Sequence, residues 1–250
     1  MQSNLDRVWQ DDGTREAVVS HYLDEFRPVR RHGRSLQRRL KRVIWSGVVQ
    51  SAWVIKRMVD VGVALTALIV LSPLMLLTWL AIRLEDGGPA LFVQTRVGLQ
   101  GQLFQMYKFR SMGVNADKLK AELAAQNESG AGVLFKMKRD PRITRVGRII
   151  HKLSIDEFPQ LINVLIGNMA MVGPRPALPQ EVAAYSQDER MRLSIKPGLT
   201  CFWQIGGRSD IDFKGQVRLD VQYIQSQSVW LDLWIILKTV PAIVFGKGAY

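Results

Sequence analysis

A single cysteine, Cys201, occurs in 250 residues, which excludes an internal disulfide and any cysteine-cluster metal site. The three histidines, His21, His32 and His151, are scattered, so the ligand spacing of a structural zinc site is missing as well. The first twenty residues, MQSNLDRVWQDDGTREAVVS, contain no apolar core of signal-peptide length, and predict a start that is neither cleaved nor exported. No GxxxxGK[ST] loop is found, so P-loop nucleotide binding is not indicated. Repeats and low-complexity tracts are lacking too. Acidic residues are outnumbered: 22 Asp and Glu against 34 Lys and Arg give a net charge of +12 and a pI near 10.1. Such a balance points to an anionic partner, whether phospholipid, nucleic acid or a phosphorylated substrate. The length suits one ordinary domain with appendages.

What is present begins with a basic arm. Arg27 to Arg42 holds eight Lys or Arg residues and no acid, which suits either a solvated arm or a segment drawn to anionic lipid at roughly 1 kcal/mol per charge. After a short apolar stretch, Val43 to Ile55, and the pair Lys56-Arg57 comes Met58 to Ile82, whose only charge is Asp60. Its uncharged part, the 22 residues from Val61 to Ile82, reaches across a hydrocarbon layer of about 30 Å as a straight helix. Ser72-Pro73 sits at the middle, where proline removes a backbone hydrogen bond and bends the helix, and where a serine hydroxyl can compensate. Basic residues flank both ends, which disfavours carrying either end across. Physics alone leaves a plain span and a re-entrant hairpin both open.

Beyond Arg83 the pattern is that of a globular domain of short elements. Leu91 to Val93 and Leu103 to Lys108 read as strands joined by the turn-rich GLQGQ, a small hairpin. Asn115 to Gln126 reads as a capped helix. Val229 to Gly246 is apolar with two tryptophans but carries Asp232, Lys238 and Pro241. An interfacial helix is expected there, with indoles at headgroup level and the charges facing water.

The densest chemistry lies in Asp140 to Pro176. Asp156 and Glu157 are adjacent carboxylates in a stretch crowded with Arg142, Arg145, Arg148, Lys152 and Arg175. Ser154-x-x-Glu157 matches a capping box, but Pro159 would then fall inside the helix, whereas proline is comfortable at a helix start. A helix beginning at Pro159 is therefore expected, with the acid pair in the positive end of its dipole. An ionised Asp there is a competent nucleophile toward phosphorus, although exposed acid pairs without a catalytic role are common. Lys108 and Arg110 flank Phe109, so in a strand they share a face, either as two phosphate donors or as solvated charges. Gly173-Pro-Arg-Pro176 holds Arg175 with little freedom, which suits bidentate phosphate recognition. Arg208 follows two glycines, where backbone can approach an anion.

Together these segments resemble the bacterial sugar transferase family, the monotopic polyprenyl-phosphate phosphoglycosyl transferases that initiate exopolysaccharide, capsule and O-antigen synthesis. The matching pieces run in the family's order from Lys56 to about Ile243: the apolar segment with central Ser72-Pro73, GPALFVQTRVGLQGQLFQMYKFRSM, DPRITRVGRII, LSIDEFPQLINVLIGNMAMVGPRP, PGLT, WQIGGR and LDVQYI. The ordered set is highly specific, and it favours the re-entrant and catalytic readings.

The resemblance implies an α/β (α+β) fold, mostly helical with a small β-hairpin or sheet. Residues 1–55 would form a basic extension with a short apolar segment, 56–84 a re-entrant helix-break-helix, and 85–250 a catalytic domain with a C-terminal interfacial amphipathic helix. By similarity Asp156 attacks the sugar-bearing phosphate of a UDP-sugar, releases UMP, and holds the phosphosugar until undecaprenyl (polyprenyl) phosphate takes it. Glu157 is similar to the residue that holds Mg²⁺. Lys108, Arg110, Arg175 and Arg208 would bind phosphate, and Asp220 matches a position that supports metal or nucleotide. The implied setting is the bacterial inner membrane with the catalytic domain facing the cytoplasm. Partners would be the polyprenyl phosphate lipid, a nucleotide-sugar of the UDP-hexose class and the membrane itself, without nucleic acid and with room for a homo-oligomer. Two features depart from the pattern: His151 stands where an arginine is frequent, and Cys201 where a glycine is. The competing readings are a non-enzymatic basic membrane-surface adaptor and a direct transfer without a covalent intermediate.

Overall fold

The computed structural model describes residues 32–114, 116, 140–206 and 211–245, with side chains from Ser51 onward except at 52 and 243–245. It divides into a unit of residues 1–51, whose described residues 32–51 are helical, and a unit of residues 52–250. In chain order the elements are α1 (His32–Asp86), β1 (Leu91–Val97), β2 (Leu103–Phe109), α2 (Arg145–Lys152), α3 (Gln160–Ile166), β3 (Ala170–Val172), α4 (Pro179–Ala183), β4 (Gly198–Thr200), α5 (Phe202–Gly206), α6 (Phe213–Ser226) and α7 (Val229–Phe245). Short 3₁₀ turns fall at Leu99–Gly101, Ile155–Glu157 and Glu189–Ser194. The fold is mostly helical with little sheet, as the resemblance implies. The expected helix over Asn115 to Gln126, Arg208, and much of the basic arm lie outside the described residues.

Trp53–Asp86, within α1, is long and apolar enough to cross a membrane, the one such helix among the described residues. No break interrupts it at Ser72-Pro73. Proline cannot donate to the Ile69 carbonyl four residues back, and the Ser72 hydroxyl donates to that carbonyl instead at 2.8 Å. One stripe of the helix packs on the protein through Ala64 and Ile82, with Val63, Ala67, Leu68, Leu71 and Met75 partly buried beside them. The opposite stripe leaves Leu65, Ile69, Val70, Leu76, Leu77 and Leu84 exposed.

The charges at the helix entrance fasten it to the globular elements. Arg57 donates to the carbonyls of Val164 (2.6 Å) and Leu165 (2.8 Å) at the C-terminal end of α3, where the Val164 carbonyl also accepts from the Gly167 amide at 3.1 Å. Asp60, buried, accepts from the Met171 amide of β3 at 3.1 Å. Lys56 pairs with Asp232 of α7, whose other oxygen accepts from the Tyr223 hydroxyl at 2.6 Å. Asp232 is thus 2 % exposed, contrary to the expectation that the charges of this helix face water: Lys56 and Tyr223 supply inside the protein what solvent would supply outside. The indoles of Trp230 and Trp234 do stay exposed, on the same helix as exposed Leu237 and Val240.

The expected hairpin forms, with a longer first strand: β1 and β2 pair antiparallel from Leu91 opposite Phe109 to Val97 opposite Leu103. The turn of GLQGQ puts Gln100 and Gly101 at φ 53° and 83°, the left-handed region. A second sheet was not evident from the sequence. β3 and β4 pair in parallel, with Ala170 opposite Gly198 and Val172 opposite Thr200. Their approach demands glycine, because a Cβ on Gly198 would lie 2.0 Å from the Gly173 amide nitrogen. Phe104, Met106, Leu161, Val164, Met169, Val172, Tyr223 and Ile235 form the core between these sheets, α1, α3, α6 and α7.

Candidate active site

Two fastenings fix the segment that carries the acid pair. The fully buried Asn163 of α3 accepts from the Tyr107 amide at 3.0 Å and donates to the Gln105 carbonyl at 2.6 Å, which seats the helix on the edge of β2. Arg57 holds its other end. Pro159, at φ −60°, stands as the cap of α3, so the helix starts where the proline predicts. Ser154 adopts φ 54° and makes no capping bond, so the capping box does not form. Asp156 and Glu157 then lie in the 3₁₀ turn Ile155–Glu157, directly before α3. That helix has only seven residues, so neighbouring cations rather than its dipole dominate the local field.

Asp156 is 4 % exposed. Its Oδ2 lies 3.4 Å from His151 Nδ1, and its Oδ1 is buried with no hydrogen-bond partner. An unpartnered buried carboxylate oxygen costs stability, and a catalytic role is one of the reasons a fold keeps such a group. The hydrogen bond that His151 donates to Asp156 raises the pKa of His151 above its ordinary 6.5, against the opposing effect of burial. Glu157 is partly exposed and accepts from Lys108 Nζ at 3.0 Å through Oε1.

Both carboxylates line a cavity of about 650 Å³. One side is apolar and comes from α1 and α7: Val63, Ala67, Val70 and Leu71, with Ile236 and Val240. The Thr200 and Thr239 hydroxyls, 2.7 Å apart, sit in that lining. On another side Arg175, Trp203 and Gln204 close the cavity. A small recess of about 30 Å³ adjoins it, sharing Glu157, Arg175, Leu199 and Gln204 with the main cavity and adding Arg96 and Lys108.

The sequence candidates separate accordingly. Asp156, Glu157, Lys108 and Arg175 come together. Arg110 does not: its guanidinium is taken up by both Asp86 carboxylate oxygens, the Pro89 carbonyl at 2.6 Å and the Met112 carbonyl at 3.3 Å, off the cavity. Asp220 also lies apart, with its Oδ1 buried and without a hydrogen-bond partner. It is 1 % exposed and held by Arg192 at 2.7 to 2.8 Å, and neither cavity nor recess is lined by it. Arg192 itself lies between the Tyr185 and Phe213 rings, 5.8 and 5.7 Å from their centroids. Burial raises Asp220 to about 6, with Arg192 opposing. Above it, the indole N–H of the cavity-lining Trp203 is buried without a well-formed hydrogen bond. Of the other cations near the acid pair in sequence, Arg142 pairs with Asp140, and Arg145, Arg148 and Lys152 are exposed outside the cavity lining. Arg96 is the residue that sequence reasoning passed over, and His151 enters it only as a departure from the family's pattern. His151, on the turn before the acid pair, was legible as its neighbour.

Residues 51–246 match the family model described as bacterial sugar transferase. The chain belongs to that family. Among its curated relatives, this sugar transferase is 46 % identical over 195 residues to the galactosyl transferase CpsE of Streptococcus agalactiae, a match covering 78 % of this chain and 43 % of that one. It is 42 % identical over 204 residues to the undecaprenyl-phosphate galactose phosphotransferase of Salmonella typhimurium, covering 80 % and 43 % respectively. With the exopolysaccharide production protein ExoY of Sinorhizobium fredii it shares 40 % over 198 residues, 78 % of this chain and 88 % of that protein. The match thus takes in less than half the length of the first two relatives and most of the third.

Proposed function

We propose that this chain transfers a sugar 1-phosphate from a UDP-sugar to undecaprenyl phosphate through a covalent phosphosugar intermediate on Asp156, initiating polysaccharide synthesis. The observation that carries the reading is a buried carboxylate, without a strong counterion, on a residue lining a cavity that is apolar along α1 and α7 and cationic beside Arg175. In the first step a carboxylate oxygen of Asp156 attacks the phosphorus bearing the sugar. The bond from that phosphorus to the oxygen of UMP breaks, and UMP leaves with the electron pair. In the second step an oxygen of undecaprenyl phosphate attacks the same phosphorus and frees Asp156, so two easier displacements replace one. Arg175 and Lys108, beside the acid pair, would offset the charge that builds up on the phosphate oxygens. Along α1 and α7 the apolar lining suits the isoprenoid chain of the acceptor, and the names of the relatives, an undecaprenyl-phosphate galactose phosphotransferase among them, agree with that pairing of substrates.

Glu157 fits a Mg²⁺ role. It offers a hard carboxylate oxygen on the cavity, with Oε2 unclaimed by Lys108. The described residues contain no group of three metal-binding side chains, which accords with an ion that takes one or two carboxylates and completes its shell with substrate phosphates and water. When bound, the ion would neutralise and orient phosphate oxygens. The basic residues on either side of the apolar stretch 61–82 favour keeping both on the cytoplasmic side of the inner membrane, which requires the helix, unbroken here at Ser72-Pro73, to bend at that proline in the bilayer. Incubation of the purified full-length chain with Mg²⁺, a UDP-hexose panel and undecaprenyl phosphate should release UMP. Asp156→Asn should reduce that release by at least about 10³-fold, and undiminished release in this variant rejects the nucleophile.

A further inference from the structure

The recess beside Glu157 carries more positive charge than its own residues neutralise. Arg96, Lys108 and Arg175 line it, with Glu157 as the only acid. Lys108 is paired with that acid, and the Arg175 guanidinium has no hydrogen bond or ion pair among the described residues. Arg96 is 6 % exposed and has no carboxylate within ion-pair distance. Its Nη1 donates to the Pro176 carbonyl at 2.9 Å, while Nε and Nη2 share Gln94 Oε1 at 3.0 and 2.6 Å. A guanidinium has five N–H donors, so each terminal nitrogen keeps one that these bonds do not use. Burial, and then the like charge of Arg175, bring Arg96 down to about 10, with Glu181 and Glu157 acting in the other direction. The side chain remains a cation at neutral pH, in a place where cations are normally paired.

We propose that Arg96 binds a phosphate oxygen of the nucleotide diphosphate, and that its bond to the Pro176 carbonyl fixes the turn that aims Arg175 at the same anion. The assignment rests on the donor reading above, in which a diphosphate is the polyanion that enters the cavity. A phosphate could arrive from the nucleotide or from the lipid. The nucleotide is favoured because the apolar residues of α1 and α7 line the main cavity and none of them lines the recess. Arg96 therefore serves the donor, and the acceptor's phosphate enters from the apolar side.

The test uses the full chain in detergent, with Arg96→Gln and the charge-preserving Arg96→Lys. Thermal unfolding is followed with and without pyrophosphate or UMP, and KM is measured separately for UDP-sugar and undecaprenyl phosphate. Pyrophosphate and UMP should raise the parent's melting midpoint, and Arg96→Gln should lose that rise. Its KM for UDP-sugar should increase about tenfold or more while that for undecaprenyl phosphate stays put. Arg96→Lys should fall between, because an ammonium cannot hold Gln94, Pro176 and an anion together. A lower midpoint with an undiminished ligand-induced rise marks a purely structural residue and overturns the proposal, as does a KM change confined to the lipid. If Arg96→Gln does not fold, an undiminished rise in Arg96→Lys overturns it equally. Should no UDP-sugar turn over at all, the functional reading fails, and the pyrophosphate measurement still decides the anion site.

Discussion

Asp156 and Asp220 are both almost fully buried carboxylates, each with an Oδ1 that has no hydrogen-bond partner, yet they differ in counterion and in place. Asp220 has its own guanidinium, itself packed between two aromatic rings, and faces neither cavity nor recess. Asp156 has only a half-exposed imidazole at 3.4 Å and an oxygen with no partner, and it lines the largest cavity described. A buried carboxylate with its own guanidinium, away from any cavity, serves the fold, and one with a weak partner at a cavity is available to a substrate. Arg110 and Arg175 repeat the contrast among cations: the first is spent on Asp86 and backbone carbonyls, and the second is exposed at the site.

The sharpest way to break this comparison is stability. Asp220→Ala leaves Arg192 buried without a counterion and should cost about 3–5 kcal/mol, read from urea unfolding. Asp156→Ala loses only the half-exposed His151 contact and should cost no more than about 1 kcal/mol even though it abolishes turnover. Equal destabilisation by the two would erase the distinction. Asp220→Asn should also flatten the acid side of the stability curve. The raised acid keeps its proton in the fold after the unfolded chain has lost it, so its contribution declines as pH rises from 3.8 through about 6.

Next in size is the arginine pair. Arg110→Gln should lose about 1–3 kcal/mol of stability with KM for UDP-sugar unchanged, whereas Arg175→Gln should raise that KM and leave stability within about 0.5 kcal/mol. The Asp86 carboxyl, held down to about 2 chiefly by Arg110, adds a signature. Its contribution is present above 3.8, fades as pH falls toward 2, and should vanish from the acid limb in Arg110→Gln. Smallest is His151. Its pKa is raised above 6.5 by Asp156, so the stabilisation from this pair is complete below 6.5 and fades as pH climbs through the raised value. His151→Gln should remove that slope from the melting midpoint measured between pH 6 and 8.

Local chemistry made part of this legible in the sequence. The hairpin follows from apolar runs around a glycine turn, the start of α3 from Pro159, and the serine compensation in α1 from Ser72-Pro73. Less visible was whatever depends on partners far along the chain. Lys108 and Arg110 look alike in KFRSM, and only the fold shows that Asp86, 24 residues away, claims the second. Asp232 reads as a solvent-facing charge until Lys56, 176 residues earlier, is found beside it. β3 and β4 have three residues each, too few for any periodicity, and their pairing rests on the contact of Gly173 with Gly198. Arg96 sits in an ordinary strand pattern, and its burial against Pro176 is a tertiary fact.

Peptide mass spectrometry of protein quenched during turnover of a UDP-sugar, with undecaprenyl phosphate withheld, tests the central claim most directly. A hexose-phosphate increment on the peptide containing Asp156, discharged when the lipid is added, is the predicted result. An unmodified peptide in every quench, together with full activity in Asp156→Asn, would contradict it.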